Sequence, residues 1–272
     1  KYLVFSFGDP KGGRDRLVLL ALASAGCYNP KARVPDLVKT PQPYTFMANK
    51  ELPKSYDPCV FCSLLTCSRN LDGHNYVTVA KNQHIPQYCG ACWAFAATSA
   101  VGDRLKMMTK GAWPEHDLST QVAVNCVSSL GCHGGHPSSV FSYMKETGLP
   151  LEGCMRYEAK DMECTDINTC RDCHMGEDCF AVKNYTKVYV SEYGSVSGEE
   201  NMMKEIYARG PITCGIADPD TFKAYKGGIY KDTTGASMVS HAISVVGWGE
   251  EDGVKYWIGR NSWGNYWGEN GF

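Results

Sequence analysis

The sequence predicts an α+β fold in which a mainly helical part precedes a β-rich part. Before about residue 180, apolar stretches without proline have the pattern of buried helices. After that point, short runs of Val, Ile, Thr and Tyr are separated by glycines, which is typical of strands. A helical half followed by a β half favours two lobes with a cleft between them.

Each predicted element rests on its own local pattern. The longest helix is predicted over residues 92–108, which are rich in Ala and large apolar side chains and contain no proline. Shorter helices are predicted at residues 119–127, 138–147 and 199–208. Strands are predicted at residues 188–190, 212–216, 241–246 and 255–258, with one further strand-like run at 76–80.

Composition divides the chain into four parts. Residues 1–26 are interpreted as upstream residues followed by a signal peptide, because basic residues at 14 and 16 precede an apolar run and the triplet Ala23-Ser24-Ala25. Residues 27–51 are proline-rich and predict a short propeptide. Residues 52–185 are expected to form an N-terminal segment and a mainly helical lobe. Residues 186–272 are expected to form a β-rich lobe that is truncated at its C-terminus.

The charge and cysteine content limit the class of protein. Lys and Arg total 27 against 29 Asp and Glu, and this net charge of −2 gives no electrostatic case for binding nucleic acid or an anionic membrane. No apolar stretch is long enough to predict a membrane span.

The 14 cysteines favour an oxidising compartment and disulfides, with reduced, buried or metal-bound thiols as the alternative. A sequon at Asn184 predicts glycosylation and fits a secretory route.

Three residue types that can act together in nucleophilic catalysis occur in order along the chain. Cys92 begins the longest predicted helix, where the backbone N–H groups and the helix dipole stabilise a thiolate. His241 enters a predicted strand, and Asn261 follows the last predicted strand. Together they permit a thiolate–imidazolium pair with an amide that orients the ring. Taken singly, each residue has a structural interpretation instead. Cys92 would be a structural thiol, His241 a core histidine and Asn261 a turn residue.

The segment around Cys92 resembles the papain-like cysteine peptidase family. The family signature is present as Cys89-Gly90-Ala91-Cys92-Trp93, with a distant His and Asn downstream. The resemblance implies a papain-like two-lobe fold, with a helical lobe, a β-barrel-like lobe and the active-site cleft between them. It implies that the side chain of Gln83 and the backbone N–H of Cys92 stabilise the oxyanion. It also implies that Trp263 shields the His–Asn contact and that Gly134 and Gly135 admit substrate backbone.

In finer detail the chain resembles a carboxypeptidase branch of that family. Gln83 lies nine residues before Cys92, whereas most members of the family have six. The longer loop, residues 83–89, would shorten the cleft so that one substrate residue fits beyond the scissile bond. The resemblance implies that His84 donates to the terminal carboxylate of the substrate, with help from Tyr88. It implies a lysosomal or extracellular enzyme that removes single residues from free peptide C-termini by thiolate acyl transfer.

The resemblance also implies a disulfide pattern and a latent state. The expected pairs are Cys89–Cys132, Cys126–Cys164, Cys154–Cys170 and Cys173–Cys179, with Cys214 bonded to a cysteine beyond residue 272. In the precursor Cys27 would bond Cys92 itself, so that reduction releases the nucleophile. No cofactor or metal is expected. The expected partners are peptides or proteins with a free C-terminus and cystatin-type inhibitors, and the chain is expected to be a monomer.

One departure from the family pattern leaves alternatives open. Cys59, Cys62 and Cys67 lie in an insert that is favoured as an unspliced or mispredicted segment over a zinc site. The rival functional hypothesis is a catalytically inactive, truncated fragment that binds peptides or inhibitors without turnover. A second rival is an endopeptidase or aminopeptidase of the same fold, which the longer loop after Gln83 argues against.

Overall fold

The computed structural model describes residues 3–5, 26–49, 52–58 and 74–272. Of the predicted part at residues 1–26, only Leu3–Phe5 and Gly26 are described, and the insert that carries Cys59, Cys62 and Cys67 lies outside the described residues. The predicted propeptide is described over most of its length, and residues 26–49 are called the N-terminal segment below.

The described residues combine helices and strands, as an α+β chain requires. The α-helices are α1 (Pro43–Phe46), α2 (Cys92–Met108), α3 (Thr120–Cys126), α4 (Pro137–Glu146), α5 (Glu199–Arg209) and α6 (Asp220–Lys223), with a 3-10 turn at Pro30–Ala32. The strands are β1 (Leu3–Phe5), β2 (Leu149–Pro150), β3 (Arg171–Asp172), β4 (Phe180–Ala181), β5 (Lys187–Val188), β6 (Glu192–Gly194), β7 (Ile212–Ile216), β8 (His241–Glu251) and β9 (Val254–Arg260).

Helix α2 forms the centre of the largest apolar core. Most of its residues are buried, and these are apolar or small apart from Asp103 and Arg104. It packs against α3, α4 and β8. This packing brings the N-terminal end of α2 next to the start of β8, so that two distant parts of the sequence meet there.

The main sheet has three antiparallel strands in the order β7–β8–β9. Ile216 pairs with His241 at one end of β7, and Ser244 pairs with Arg260 on β9, with a bulge in β8 between Val245 and Gly247. Among the described residues no closed barrel is found, because a barrel closes only when its outer strands also pair. In the described part of the chain, β7 and β9 each pair only with β8.

Two-residue strands and isolated bridges complete the backbone pairing. Strands β2 and β5 pair antiparallel, as do β3 and β4, whereas β1 pairs parallel with β6. The N-terminal segment attaches through single bridges, from Tyr28 to Gly135 and from Leu37 to Tyr193. This segment therefore lies across the rest of the chain at two separated points.

The predicted strand at residues 76–80 does not form. The backbone N–H of Val77 donates to the side chain of Asn75 at 2.8 Å, and that of Thr78 donates to Asp103 at 2.8 Å. These two donors are satisfied by side chains instead of a neighbouring strand. Of the two valines in the run, Val77 is 1% exposed and Val79 is 67% exposed, so the alternation does not mark a buried face.

Five disulfides join the described cysteines. The pairs are Cys27–Cys92, Cys89–Cys132, Cys126–Cys164, Cys154–Cys170 and Cys173–Cys179, which are the pairs implied by the family resemblance. Among the described residues, Cys214 is the one cysteine outside a disulfide, and burial raises the pKa of its thiol to about 12. Across the same residues, none of the helices has the length and apolar character needed to cross a bilayer.

Candidate active site

Cys92 occupies the first position of helix α2. Ala91 is the N-cap and contributes no side-chain hydrogen bond, so the first turn keeps N–H groups without intrahelical partners. The helix dipole adds partial positive charge at the same point, and both effects favour a thiolate at Cys92. In this structure the Cys92 sulfur is completely buried in its disulfide with Cys27.

His241 begins strand β8 and faces this disulfide. Its Nδ1 lies 3.3 Å from the Cys27 sulfur, and its Nε2 lies 2.7 Å from the Asn261 side-chain oxygen. The same oxygen accepts the backbone N–H of Ser262 at 2.8 Å, which identifies it as the acceptor. His241 Nε2 therefore carries the ring proton, and Nδ1 presents a lone pair towards the two sulfurs.

Burial keeps the His241 ring neutral while the disulfide is intact. Only 1% of the residue is exposed, and this desolvation lowers its pKa to about 4. The hydrogen bond to Asn261 and the negative charge of Asp218 act in the opposite direction. A thiolate formed at Cys92 would add a second negative charge near the ring and would favour the imidazolium further.

Trp263 covers the contact between His241 and Asn261. Its ring lies 4.7 Å from the His241 ring, at an interplanar angle of 31°. Asn261 is 4% exposed. This position suits the shielding role that the family resemblance implies for Trp263.

Gln83 is held in a fixed orientation beside the signature segment. Its side-chain oxygen accepts from the Ser262 hydroxyl at 2.7 Å, and its NH₂ group donates to the carbonyl of Cys89 at 2.9 Å. The residue is 1% exposed. An amide NH₂ has two N–H donors, so the bond to Cys89 leaves the second available for a substrate oxygen.

His84 and Tyr88 lie on the loop that follows Gln83. Their rings stack with centroids 4.8 Å apart, and His84 also stacks on Trp263 at 6.4 Å. Tyr88 is 71% exposed, whereas His84 is half-buried, and this burial lowers the pKa of the His84 ring. The Trp263 ring therefore contacts both the His84 ring and the His241 ring.

Gly134 and Gly135 form the surface on which the N-terminal segment runs. Gly135 donates to the Cys27 carbonyl at 3.3 Å and accepts from the Asn29 N–H at 2.8 Å. A Cβ at Gly135 would lie 2.5 Å from the Trp93 ring, and Gly134 has a φ of +118°, so both positions require glycine. Extended backbone is thus already bound at the place where the sequence predicts substrate backbone.

Cys27, Cys92 and His241 have ligand atoms that all lie within 4.8 Å of one another. This spacing would suit a metal ion, but both sulfurs are engaged in the disulfide.

The predicted glycosylation site Asn184 is exposed and lies between β4 and β5, apart from these residues. The four other disulfides include one, Cys89–Cys132, that begins next to the signature glycine.

Three features of the site have no signal in the sequence. Ser262 orients Gln83, and Asp218 accepts a hydrogen bond from Ser240, the residue before His241. Tyr28 and His136 form a hydrogen-bonded pair of 3.0 Å beside Gly135. Each pair joins residues far apart along the chain, so no local spacing could reveal them.

Comparisons with known proteins agree with this geometry. The family described as Papain family cysteine protease matches residues 67–272. The chain is 51% identical over 206 residues to Cathepsin Z of Onchocerca volvulus, covering 75% of this chain and 67% of that protein. It is 32% identical to Cathepsin B-like cysteine proteinase 1 of Ostertagia ostertagi over 82% of this chain and 68% of the relative.

The fold agrees with the same family. The solved structure of proCathepsin B S9 from Trypanosoma congolense matches with a TM-score of 0.68 and 25% identity, over 91% of this chain and 78% of that one. The resemblance drawn from residues 89–93 is thereby confirmed, and within the family the chain is similar to Cathepsin Z. The chain belongs to the papain family of cysteine proteases.

Proposed function

We propose that this chain is the latent form of a cysteine-type carboxypeptidase that removes single residues from free peptide C-termini. The observation that carries the carboxypeptidase assignment is the position of His84. Its imidazole lies on the loop after Gln83 and stacks on Trp263, which itself lies over His241. The His84 imidazole, a hydrogen-bond donor, is thus separated from His241, the proposed acid–base residue, by the Trp263 ring.

The reaction follows from the roles proposed for Cys92, His241 and Asn261. Once the disulfide is reduced, His241 Nδ1 takes the Cys92 proton, and the thiolate attacks the scissile carbonyl. The imidazolium then protonates the leaving amine, and the neutral ring activates the water that hydrolyses the thioester. Asn261 holds Nε2–H throughout, so that Nδ1 remains the nitrogen that exchanges protons.

The oxyanion that forms during attack is stabilised by two donors. One is the backbone N–H of Cys92 at the start of α2, and the other is the second N–H of the Gln83 side chain. Ser262 fixes the amide of Gln83, so this donor is oriented before substrate arrives. Such a donor typically contributes about 3 kcal/mol to lowering the barrier.

The terminal carboxylate of the substrate is bound by His84, assisted by Tyr88. A carboxylate beside a histidine N–H forms a charge-assisted hydrogen bond, which is stronger than a bond between neutral groups. The loop that carries both residues leaves room for one residue beyond the scissile bond. Longer carboxy-side segments and amidated ends are therefore poor substrates.

Several features of the described residues support a secreted, latent product. Five disulfides indicate an oxidising compartment, and the exposed Asn184 sequon suits glycosylation there. The proposal therefore includes delivery to the lysosome or the extracellular space. It also includes the two-lobe arrangement, in which α2 and β8 face each other across the cleft, and a monomeric state open to cystatin-type inhibitors.

Paired peptides test the proposal. The reductant-activated chain is given one peptide with a free C-terminus and its C-terminally amidated twin, and released amino acids are measured. We expect at least a tenfold preference for the free acid, because a charge-assisted bond contributes about 1.5–3 kcal/mol. His84→Ala should remove that preference, whereas His174→Ala, at an exposed histidine in edge-on contact with Phe180, should keep it.

Two results would contradict the proposal. Equal release from both peptides would exclude the carboxylate anchor and favour an endopeptidase. Binding of the peptides without any turnover, by a chain whose Cys92 is alkylated normally after reduction, would favour the inactive peptide-binding fragment.

A further inference from the structure

The N-terminal segment inserts a side chain into a pocket beside Cys92. Tyr28 follows Cys27, and its backbone N–H donates to the Ser240 carbonyl at 3.2 Å. The same residue forms a bridge with Gly135, and it is 8% exposed. The Tyr28 side chain therefore marks the side-chain pocket next to the proposed nucleophile.

The walls of this pocket are apolar and shaped by a glycine. Tyr28 belongs to a buried cluster with Cys92, Ala96 and Ala242. A Cβ at Gly215 would lie 3.3 Å from the Tyr28 ring carbon Cζ, so the absence of a side chain there makes space for an aromatic ring. Shape alone would accept phenylalanine as well as tyrosine.

The polar end of the pocket is His136. Its Nε2 lies 3.0 Å from the Tyr28 hydroxyl, and the two ring centroids are 5.1 Å apart. His136 is 1% exposed and is the N-cap residue of α4. A hydrogen-bonding group is thus fixed at the buried end of an otherwise apolar site.

The position of the ring proton on His136 follows from its other contact. The backbone N–H of Ser138 donates to Nδ1 at 3.1 Å, so Nδ1 is an acceptor and the proton is on Nε2. His136 therefore donates to the Tyr28 oxygen. Burial, reinforced by the charge of Arg33, lowers the pKa of this ring to about 4, and the neutral donor persists at mildly acidic pH.

We propose that this pocket is a substrate subsite in which the His136 N–H selects side chains that carry an acceptor oxygen, tyrosine above all, over apolar side chains of equal size. A phenylalanine bound there would leave a buried N–H without a partner, and sites built around a hydrogen bond reject the analogue that lacks it. The inference rests on the proposed function. His84 takes the single carboxy-side residue, so the Tyr28 pocket takes a residue on the amino side of the scissile bond.

Cys27, bonded to Cys92, stands where the residue before the scissile bond would bind, so its neighbour Tyr28 marks the place of the second residue before that bond. The first experiment compares two free-acid peptides that differ only in tyrosine or phenylalanine at this second residue. With the full chain after dithiothreitol activation, we expect kcat/KM to favour tyrosine by about tenfold, the value of one hydrogen bond to a buried neutral donor. The N-terminal segment that stays in the cleft competes equally with both peptides, so it does not alter the ratio. A ratio near one in the unsubstituted chain overturns the inference.

Two variants assign the selectivity to His136. In His136→Leu the ratio should fall to about one, because the donor is lost while an apolar wall remains. His133→Ala is the matched control, since its side chain is 81% exposed and pairs with Asp161 at 3.6 Å. A tyrosine preference that survives in His136→Leu overturns the role of His136.

A second measurement remains informative if neither peptide is cleaved at its C-terminus, a result that counts against the proposed function instead. In the latent chain, Tyr28→Phe removes the hydroxyl that His136 binds. The rate at which dithiothreitol exposes Cys92 to alkylation should then rise by about tenfold. An unchanged rate would overturn the proposed selectivity of the pocket.

Discussion

Backbone N–H groups fix the tautomers of two buried histidines in this site, and both rings carry their proton on Nε2. The Ser262 N–H identifies the Asn261 oxygen as an acceptor, which leaves a lone pair on His241 Nδ1. The Ser138 N–H binds His136 Nδ1, which leaves a proton on Nε2. One ring is thus prepared to accept a proton from sulfur, and the other is prepared to donate to a bound side chain.

His84 differs because a ligand can change its charge. Burial lowers its pKa in the substrate-free chain, whereas a bound carboxylate favours the imidazolium and raises the pKa in the complex. Substrate binding is then coupled to proton uptake. The contribution of the imidazolium is complete below the pKa of the free ring and is lost as pH rises through the pKa of the complex.

This coupling predicts a pH-dependent substrate preference. The kcat/KM ratio of a free-acid peptide to its amidated twin should be greatest at pH values below the pKa of the free ring, which burial places under its ordinary value of 6.5. The ratio should then fall with rising pH. Dividing by the amide cancels the titration of Cys92 and His241. In His84→Gln, which keeps a neutral donor, the ratio should be small and independent of pH; a flat profile in the unsubstituted chain would contradict the anchor.

At the scale of elements, local pattern was sufficient for the long helices and not for the short pairings. Helix α2 forms over the predicted residues 92–108, because an apolar, proline-free stretch can bury all its faces. Strand β8 extends beyond the predicted 241–246 to Glu251, since β9 supplies partners for its polar end. The run at 76–80 fails as a strand because Asp103, far along the chain, takes its N–H donor.

The candidate site shows the same division. Cys92, His241 and Asn261 could be predicted because a motif ties each residue type to a position in the chain. His136 and Ser262 could not, since their roles depend on Tyr28 and Gln83, which lie far away along the chain and come close only in the folded structure. Fixed orientation of the reactive groups is a tertiary property.

A buried ion pair joins α2, the helix that begins at Cys92, to β9, the strand that ends just before Asn261. Asp103 is 0% exposed and accepts from both terminal nitrogens of Arg260, at 3.0 and 2.6 Å. It also accepts from the hydroxyl of Thr78 at 2.8 Å. Arg260 directly precedes Asn261, so this pair connects the helix of Cys92 to the strand that leads to Asn261.

Removing the charge of Asp103 should therefore unfold the chain more readily. Asp103→Asn leaves the Arg260 guanidinium buried without its counter-ion, and breaking such a pair costs about 3–5 kcal/mol of unfolding free energy. Guanidinium chloride unfolding of the oxidised chain measures the loss. Lys183→Ala, which removes an exposed partner of Asp166, is the control and should change little. Similar midpoints for the two variants would contradict the importance of the buried pair.

At the scale of the whole molecule, the N-terminal segment is held both covalently and non-covalently. Apart from its disulfide, the Glu192 carboxylate binds it through the N–H groups of Lys39 and Thr40 at 2.5 and 2.8 Å and the Thr40 hydroxyl at 2.6 Å. Glu192 is 1% exposed, so these contacts are shielded from water. The segment is therefore expected to stay near the cleft after reduction, and the disulfide decides whether Cys92 can react.

The chain should consequently be inactive until a thiol reductant acts on it. A dithiol attacks the Cys27 sulfur, releases the Cys92 thiolate and closes to a cyclic disulfide, so that the chain is reduced and the dithiol is oxidised. Peptidase activity and alkylation of Cys92 should both rise with dithiothreitol concentration in the unsubstituted chain. Cys27→Ser should show both without reductant. Cys214→Ser should behave like the unsubstituted chain, because its half-buried thiol takes no part in the disulfide. If Cys27→Ser needs as much dithiothreitol as the parent, the Cys27–Cys92 bond is not what keeps the chain latent.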